Sequence, residues 1–359
     1  ILMQINLFFR NLNMKKKSLN AKKIIHKKLL KYLKNKKIKK IYNIFSDNLE
    51  NYKNFQKLAI ALSGGQDSLA LAYLAKCYSI INKHKIYFYH VDHGLRKESS
   101  KEASKLKSKI QNFGINCEIL KWKGIKPKSN IQSIARVNRY DLIKKKCIKN
   151  NIKLLLTGHH LEDVYENFFI RLLRGSGLKG LISFYSIETK NNKSFKILRP
   201  LKQIKKKELA YLSSLVFNFF INDSSNTNLY FKRIRIRELL LNLKKEGFDE
   251  NKFNITLANL ASSEKTINYY VNKNLKVNTY LNKNKTYIIS NEFFQNPNEI
   301  VFRSLSMVLQ IIGNSYYPSR GKNLQNLISR LKLKNFKKTT LSGCIIEKFN
   351  NSIKIYKER

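Results

Sequence analysis

Between residues 57 and 173 the apolar and polar positions follow two rhythms in turn. Short apolar runs read as strands: KLAIAL at 57–62, KIYFYHVDH at 85–93, NCEILKW at 116–122 and IKLLLTGHH at 152–160. The segments between them place apolar residues three or four apart, which predicts helices to about residue 79, over 99–113, over 133–150 and over 161–173. Strands alternating with helices predict an α/β fold built on a parallel, doubly wound sheet. Ligands in such sheets bind beyond the carboxyl ends of the strands. The distinctive polar motifs sit at such ends: SGG after 57–62, HVDHG after 85–91, and GHH after 152–157.

Outside this region the rhythm weakens. Residues 1–55 are Lys-rich with scattered Leu and Ile, and AKKIIHKKLLKYL has apolar pairs at helical spacing. That segment reads either as a basic amphipathic helix or as a solvated leader. After residue 240 the Gly-rich turns largely disappear, and FNITLANLASSEKTINYYVNKNL again has helical spacing. The expected organisation is a basic N-terminal extension (1–55), a nucleotide-binding catalytic domain (56–240), a small helical domain (241–315) and a short C-terminal segment (316–359) with strand-like IIEKF and SIKIY.

The chain has 359 residues, 43% hydrophobic, enough for two or three domains with a sizeable core. The net charge of +48 has two readings. Lys, Asn and Ile all have A/T-rich codons, so compositional drift inflates Lys everywhere; a polyanionic partner would also select for such charge. Arg clusters carry more weight because that bias does not produce them. The four cysteines form no CxxC pair, which argues against zinc, iron–sulfur and disulfide scaffolds and fits a reducing cytoplasm. The apolar opening ILMQINLFF is nine residues long and ends at Arg10, without a cleavage-site pattern. No stretch reaches the ~18 apolar residues of a membrane helix, so a soluble, cytoplasmic protein without a membrane partner is expected.

The chemistry turns on LAIALSGGQDSLALAYL, residues 58–74. It contains LSGGQ, a signature of ABC-type ATPases, and SGGQDS, the SGGxDS pattern of PP-loop ATP pyrophosphatases. An ABC signature works against a GxxxxGK[ST] loop, and RGKN at 320–323 lacks both the spacing and the hydroxyl. The PP-loop reading uses every position except Gln66. Gly64 and Gly65 let the backbone turn tightly against phosphate oxygens. The helix beginning near Asp67 points its amides at the anion. Ser63 and Ser68 offer hydroxyl donors, and Asp67 can hold Mg²⁺ against a pyrophosphate leaving group. Ser63, Gly64, Gly65, Gln66, Asp67 and Ser68 are therefore the expected ATP site, with ATP and Mg²⁺ required.

From residue 58 to about 345 the chain resembles the tRNA(Ile)-lysidine synthetases. The matching pieces are SGGQDSLAL, HVDHGLR, IARVNRY, GHHLEDVYENFFIRLLRGSGLKGL, ILRPL, and DSSN followed by Arg233 and Arg237. The resemblance implies that ATP adenylates the C2 oxygen of cytidine 34 in an isoleucine tRNA with a CAU anticodon. Free lysine then displaces AMP to give lysidine. The amine of lysine is mostly protonated at neutral pH, so the site must accept a proton through a carboxylate or His. By the same resemblance His159, His160, Asp163 and Glu166 hold lysine and assist its attack. Asp163 and Glu166 share a helix face, and read alone they could simply complement the helix dipole. Asp92, His93, Arg136, Arg139, Arg171, Arg174 and Arg199 are implied contacts to phosphate, adenylate or the target base. Asp92 could instead cap its turn, and each Arg could be surface charge. Arg233, Arg235 and Arg237 form a tRNA surface: one basic face if extended, Arg233 with Arg237 if helical.

Some positions depart from the family pattern. Gln132 stands where Glu is usual, Glu162 occupies the second acidic position after the His pair, and Ile234 follows Arg233 in place of Asn. Long family members carry a further C-terminal domain, so a short form is expected, with the Lys-rich N-terminal segment as a substitute tRNA contact. The pattern sets no oligomeric state and is compatible with a homodimer. Two other readings compete: a PP-loop tRNA sulfurtransferase performing 2-thiolation, and an RNA-binding protein with a relic loop.

Overall fold

The computed structural model describes residues 20–358, apart from 97, 125–130, 186–187, 193–194, 222–231, 283–285, 316–317 and 334, and apart from the side chains of 132 and 188–192. The DSSN segment and residues 1–19 lie outside the described residues. The chain forms two compact units, one ending at Asp249 and one beginning at Glu250.

The first unit opens with helix α1 (residues 20–31) and α2 (Lys36–Asp47). It continues β1 (Lys57–Ala61), α3 (Gln66–Asn82), β2 (Lys85–Asp92), α4 (Ser99–Gln111), β3 (Cys117–Lys121), α5 (Ile131–Lys149), β4 (Leu154–Leu156), α6 (Leu161–Leu172) and α7 (Leu178–Leu181). A hairpin of β5 (Glu188–Asn192) and β6 (Phe195–Leu198) follows, then α8 (Lys206–Phe217) and α9 (Lys232–Lys245). The strands form one six-stranded sheet in the order β3-β2-β1-β4-β6-β5. All pairings are parallel except that of the edge strand β5. The expected doubly wound sheet is therefore present. Its strand order reverses between β1 and β4, which opens a crevice at their carboxyl ends.

Burial explains the hydrophobic runs. Leu58 and Ile60 of β1 face one core with Leu154 and Leu156, while Ala59 and Leu155 face the other with Tyr89 and Ile143. Helix α3 is buried almost all round, from Ser68 to Tyr78, because the sheet covers one side and other helices the rest.

From residue 20 onward, the described part of the N-terminal segment is not an extension. Leu29, Ile38, Ile41, Tyr42, Phe45 and Leu49 join the same core as α3, and Tyr73 Oη donates to Leu29 O at 3.1 Å. In α2 the buried positions 38, 41, 42 and 45 form one stripe, and Asn35 caps the helix through its side chain. Lysines occupy the opposite face, which is why composition alone suggested a solvated leader.

The second unit contains α10 (Glu250–Asn278), β7 (Thr279–Leu281), β8 (Tyr287–Ile289), α11 (Asn298–Gly313), α12 (Gly321–Leu331), β9 (Lys338–Leu341), β10 (Cys344–Phe349) and β11 (Ser352–Lys357). Its strands form an antiparallel sheet in the order β7-β8-β11-β10-β9. The expected separation of a helical domain over 241–315 from a segment over 316–359 is thus corrected. Ile353 of β11 pairs with Ile289 of β8, and Cys344, Ile346, Ile353 and Ile355 share one core with Leu305, Leu309 and Leu324. Helix α9 also runs across the expected boundary at 240/241 and belongs to the first unit. A buried ion pair pins α10 to α11: Arg303 Nη1 donates to both oxygens of Glu264 at 2.6 and 2.7 Å, while its Nε donates to the exposed Glu299 on α11 at 2.6 Å.

Candidate active site at the sheet switch point

The SGGQDS loop leaves β1 and enters α3 at the switch point. Gly64 adopts φ +93°, and a Cβ there would meet Ile221 Cδ1 at 2.7 Å, so glycine is required. No side chain caps α3 at Gly65, which leaves the first amides of a 17-residue helix facing the crevice. Ser68 does not face outward as expected of a phosphate donor. It is buried; its Oγ accepts from the amides of Ser63 and Gly64 at 3.2 and 3.0 Å and donates to Gly65 O at 2.9 Å. Ser68 therefore holds the loop's shape, and Ser63 remains the exposed hydroxyl.

The neighbouring strand β4 delivers TGHH to the same end. Gly158 lies against the loop: a Cβ there would meet Asp67 O at 3.2 Å and Ser68 Cα at 3.3 Å. This close approach brings His160 to Asp67. His160 Nε2 lies 3.7 Å from Asp67 Oδ2 and 3.6 Å from Asp163 Oδ2, and its Nδ1 lies 3.1 Å from Glu162 Oε2. Asp163 Oδ2 also accepts the His160 amide at 3.1 Å, capping α6.

The two adjacent histidines are pushed in opposite directions. Burial disfavours the His160 imidazolium, but the Glu162 hydrogen bond and the charges of Asp163 and Asp67 outweigh it and raise its pKa. Burial lowers His159 to about 3, with Arg136 and Arg199 adding to the effect against Asp163. A neutral His159 suits its contacts. Arg136 Nη2 lies 3.4 Å from its Nε2, its Nδ1 lies 2.9 Å from Thr157 Oγ1, and Thr157 donates to Leu198 O at 3.3 Å. Its ring meets Phe184 edge-on at 4.9 Å, and the Arg199 guanidinium lies 4.0 Å from the centre of the same ring. Burial lowers Arg199 to about 10.

The carboxylates differ as well. Burial raises the Asp67 pKa and Asp163 raises it further, against His160. For Asp163 burial acts upward, but His160 and Arg233 outweigh it and hold the group below its ordinary value. Glu166 is 2% exposed and accepts from Arg237 Nε at 2.6 Å. Arg237 reaches it because α9 is helical, so the helical alternative for Arg233 and Arg237 holds, while Arg235 is exposed.

Other expected residues have partners of their own. Asp92 is committed to its turn: Oδ1 accepts from Gly94 N at 3.0 Å and Oδ2 from Ser100 Oγ at 2.6 Å. His93 accepts from Arg139 Nε at 3.4 Å, meets Trp122 edge-on, and is lowered to about 4 by burial and Arg139. Arg171 donates to Asn167 at 3.1 Å, and Arg174 is exposed beyond α6. Thr157, Gly158 and Phe184 were missed as site residues. The TGHH spacing could have pointed to Thr157 and Gly158, whereas nothing local distinguishes Phe184.

This fold and loop define a class: the chain is a PP-loop enzyme. A family model described as a PP-loop domain matches residues 30–244. A U34-tRNA thiolase from Methanococcus maripaludis shares the fold, with a TM-score of 0.51 and 23% identity over 62% of this chain and 80% of that one. Within the class, two curated relatives are named tRNA(Ile)-lysidine synthase. The one from Orientia tsutsugamushi is 38% identical over 317 residues, and the one from Wolbachia pipientis is 33% identical over 312. Each alignment covers 84% of this chain and 70% of the relative. The chain belongs to the tRNA(Ile)-lysidine synthase family.

Proposed function

We propose that this site adenylates the C2 oxygen of cytidine 34 in an isoleucine tRNA with a CAU anticodon and then joins free lysine to that carbon. The C2 oxygen attacks the α-phosphorus of ATP, the α–β anhydride bond breaks, and pyrophosphate leaves. The deprotonated side-chain amine of lysine attacks C2, the C2–O bond breaks, and AMP leaves. One observation carries this reading in a chain of this family: the phosphate loop after β1 and the His160–Asp163 pair after β4 adjoin at one switch point.

The residues divide the work. The uncapped first amides of α3 and Ser63 bind phosphate. The carboxylates around His160 favour its charged form, and that charge in turn favours the ionised forms of Asp67 and Asp163. Asp163 and Glu166 hold the lysine ammonium and draw off its proton, with Arg237 holding Glu166 in place. Arg136 and Arg199, with neutral His159 between them, flank the adenylate, while Arg139 and His93 border the base. Arg233 faces the tRNA backbone. Asp67 Oδ1 is buried without a hydrogen-bond partner among the described residues, a donor that suits Mg²⁺. An ion held there by Asp67 would neutralise charge on the leaving pyrophosphate.

Thiolation, the competing chemistry, requires a reactive sulfur. All four cysteines are buried, and burial raises Cys77, Cys117 and Cys147 to about 12 and Cys344 to about 11. The test supplies ATP, Mg²⁺, labelled lysine and an isoleucine tRNA transcript with a CAU anticodon. ATP-dependent label that survives mild base is expected, because the bond is to a base and not an ester. Pyrophosphate release without label would overturn lysine as the nucleophile.

A further inference from the structure

The outer face of α1 and α2 carries a charge pattern that composition does not account for. Over the whole chain Lys and Arg outnumber Asp and Glu by 71 to 23, so about three acids would accompany ten basic residues. Residues 20–47, which span both helices, hold ten lysines and one acid, Asp47, and all ten lysines are exposed. Among the described residues none of the ten forms an ion pair. The opposite face is locked into the core, so the lysine stems project from a fixed frame rather than from a loose leader.

The charge is also gathered around a depression. Lys34, Lys36, Lys39 and Lys40 line an open basin of about 410 Å³, where Asp47 is the single carboxylate. The basin is tied to the active-site edge of the sheet. Asn48 Nδ2 donates to Pro200 O at 2.9 Å and to Gln203 at 3.2 Å. Pro200 follows Arg199, and Leu201 bridges to His160. At the other end of α2, Asn35 donates to Tyr211 on α8, the helix that begins with exposed Lys206 and Lys207. The flank that carries the basin is thus joined through Pro200 and α8 to the strand-end site.

We propose that this flank, centred on the Lys34–Lys36–Lys39–Lys40 basin, docks the phosphodiester backbone of the tRNA whose wobble base enters the active site. The inference rests on the tRNA reading above. The chemistry suits a backbone: ammonium point charges on long stems neutralise successive phosphates but read no base edges, so they position without specifying. An adenine nucleotide would need glycine amides or a bidentate Arg, and the basin lining has neither.

The test compares three proteins: wild type, a basin variant with Lys34, Lys36, Lys39 and Lys40 each changed to Gln, and a control of equal charge loss. The control changes the exposed Lys85, Lys145, Lys149 and Lys153, at the amino-terminal edge of the sheet and on α5. Affinity for the isoleucine tRNA transcript is measured from about 50 to 300 mM KCl, where each lost phosphate contact lowers the log–log salt slope by ~0.7–0.9. The basin variant is expected to bind at least ~10-fold more weakly at low salt, with a slope reduced by ~2–3 and kcat at saturating tRNA within about twofold of wild type. The control should stay within about threefold. Unchanged affinity and slope in the basin variant, or an equal loss in the control, would overturn the proposal. If wild type binds the tRNA but attaches no lysine, the ligase reading falls and the binding comparison still decides the surface. If wild type binds no tRNA, both fall.

Discussion

Replacing Arg237 with Met tests whether the Glu166 carboxylate is held by one partner. The side chain of Glu166 is 2% exposed, and Arg237 Nε lies 2.6 Å from its Oε1. Opposite charges centred ~4 Å apart attract by ~4 kcal/mol at an effective dielectric of ~20. The Arg237 side chain is 36% exposed, so solvent screening reduces this to about half, ~2 kcal/mol. Met keeps most of the aliphatic stem, which leaves the lost charge as the main change. Arg237→Met should then lower the unfolding midpoint by about 4–8 °C. A double-mutant cycle with Glu166→Gln isolates the pair, with an expected coupling of ~2 kcal/mol. Coupling below ~0.5 kcal/mol would refute the assignment.

Other outcomes follow from the same geometry. Asp67→Asn should cut pyrophosphate release at least ~100-fold without loss of stability, because burial and Asp163 already hold that carboxyl above its ordinary pKa, a folded-state cost that Asn removes; urea titration and a pyrophosphate assay read the two effects. Gly158→Ala should raise the KM for ATP at least several-fold with little change in tRNA affinity, since the new Cβ pushes on the Asp67–Ser68 backbone. Leu29→Ala should cost ~2–5 kcal/mol in a denaturation experiment, because Leu29 is 1% exposed within the main core; a loss under ~0.5 would restore the leader reading. His160 has a raised pKa, so its contribution is complete below ~6.5 and lost as pH rises through the folded value; the stability gap between wild type and His160→Gln should narrow with rising pH.

Much of the first unit could be read from order along the chain. Apolar runs of strand length separated by helical periodicity dictate a parallel sheet, and SGGQDS at the end of the first run locates the phosphate loop, because tight backbone turns leave a glycine trace. The antiparallel sheet of the second unit left a weaker trace. Its strands are three to six residues long, and β8 and β11 pair across more than sixty positions, which no local pattern encodes. The N-terminal helices were misjudged for a related reason. Their buried stripe is ordinary helical spacing, and only contact with α3 distinguishes a core face from a solvated amphipathic segment. The site divides the same way. Residue types named Asp67, His160, Asp163 and Glu166, but charge state depends on distance and burial. Adjacent His159 and His160 are chemically identical in the chain, and they differ because one faces Arg136 while the other sits among three carboxylates. Ser68, Asp92 and Arg237 took their roles from partners that folding supplied: the loop amides, the turn at Gly94, and a carboxylate 71 positions away.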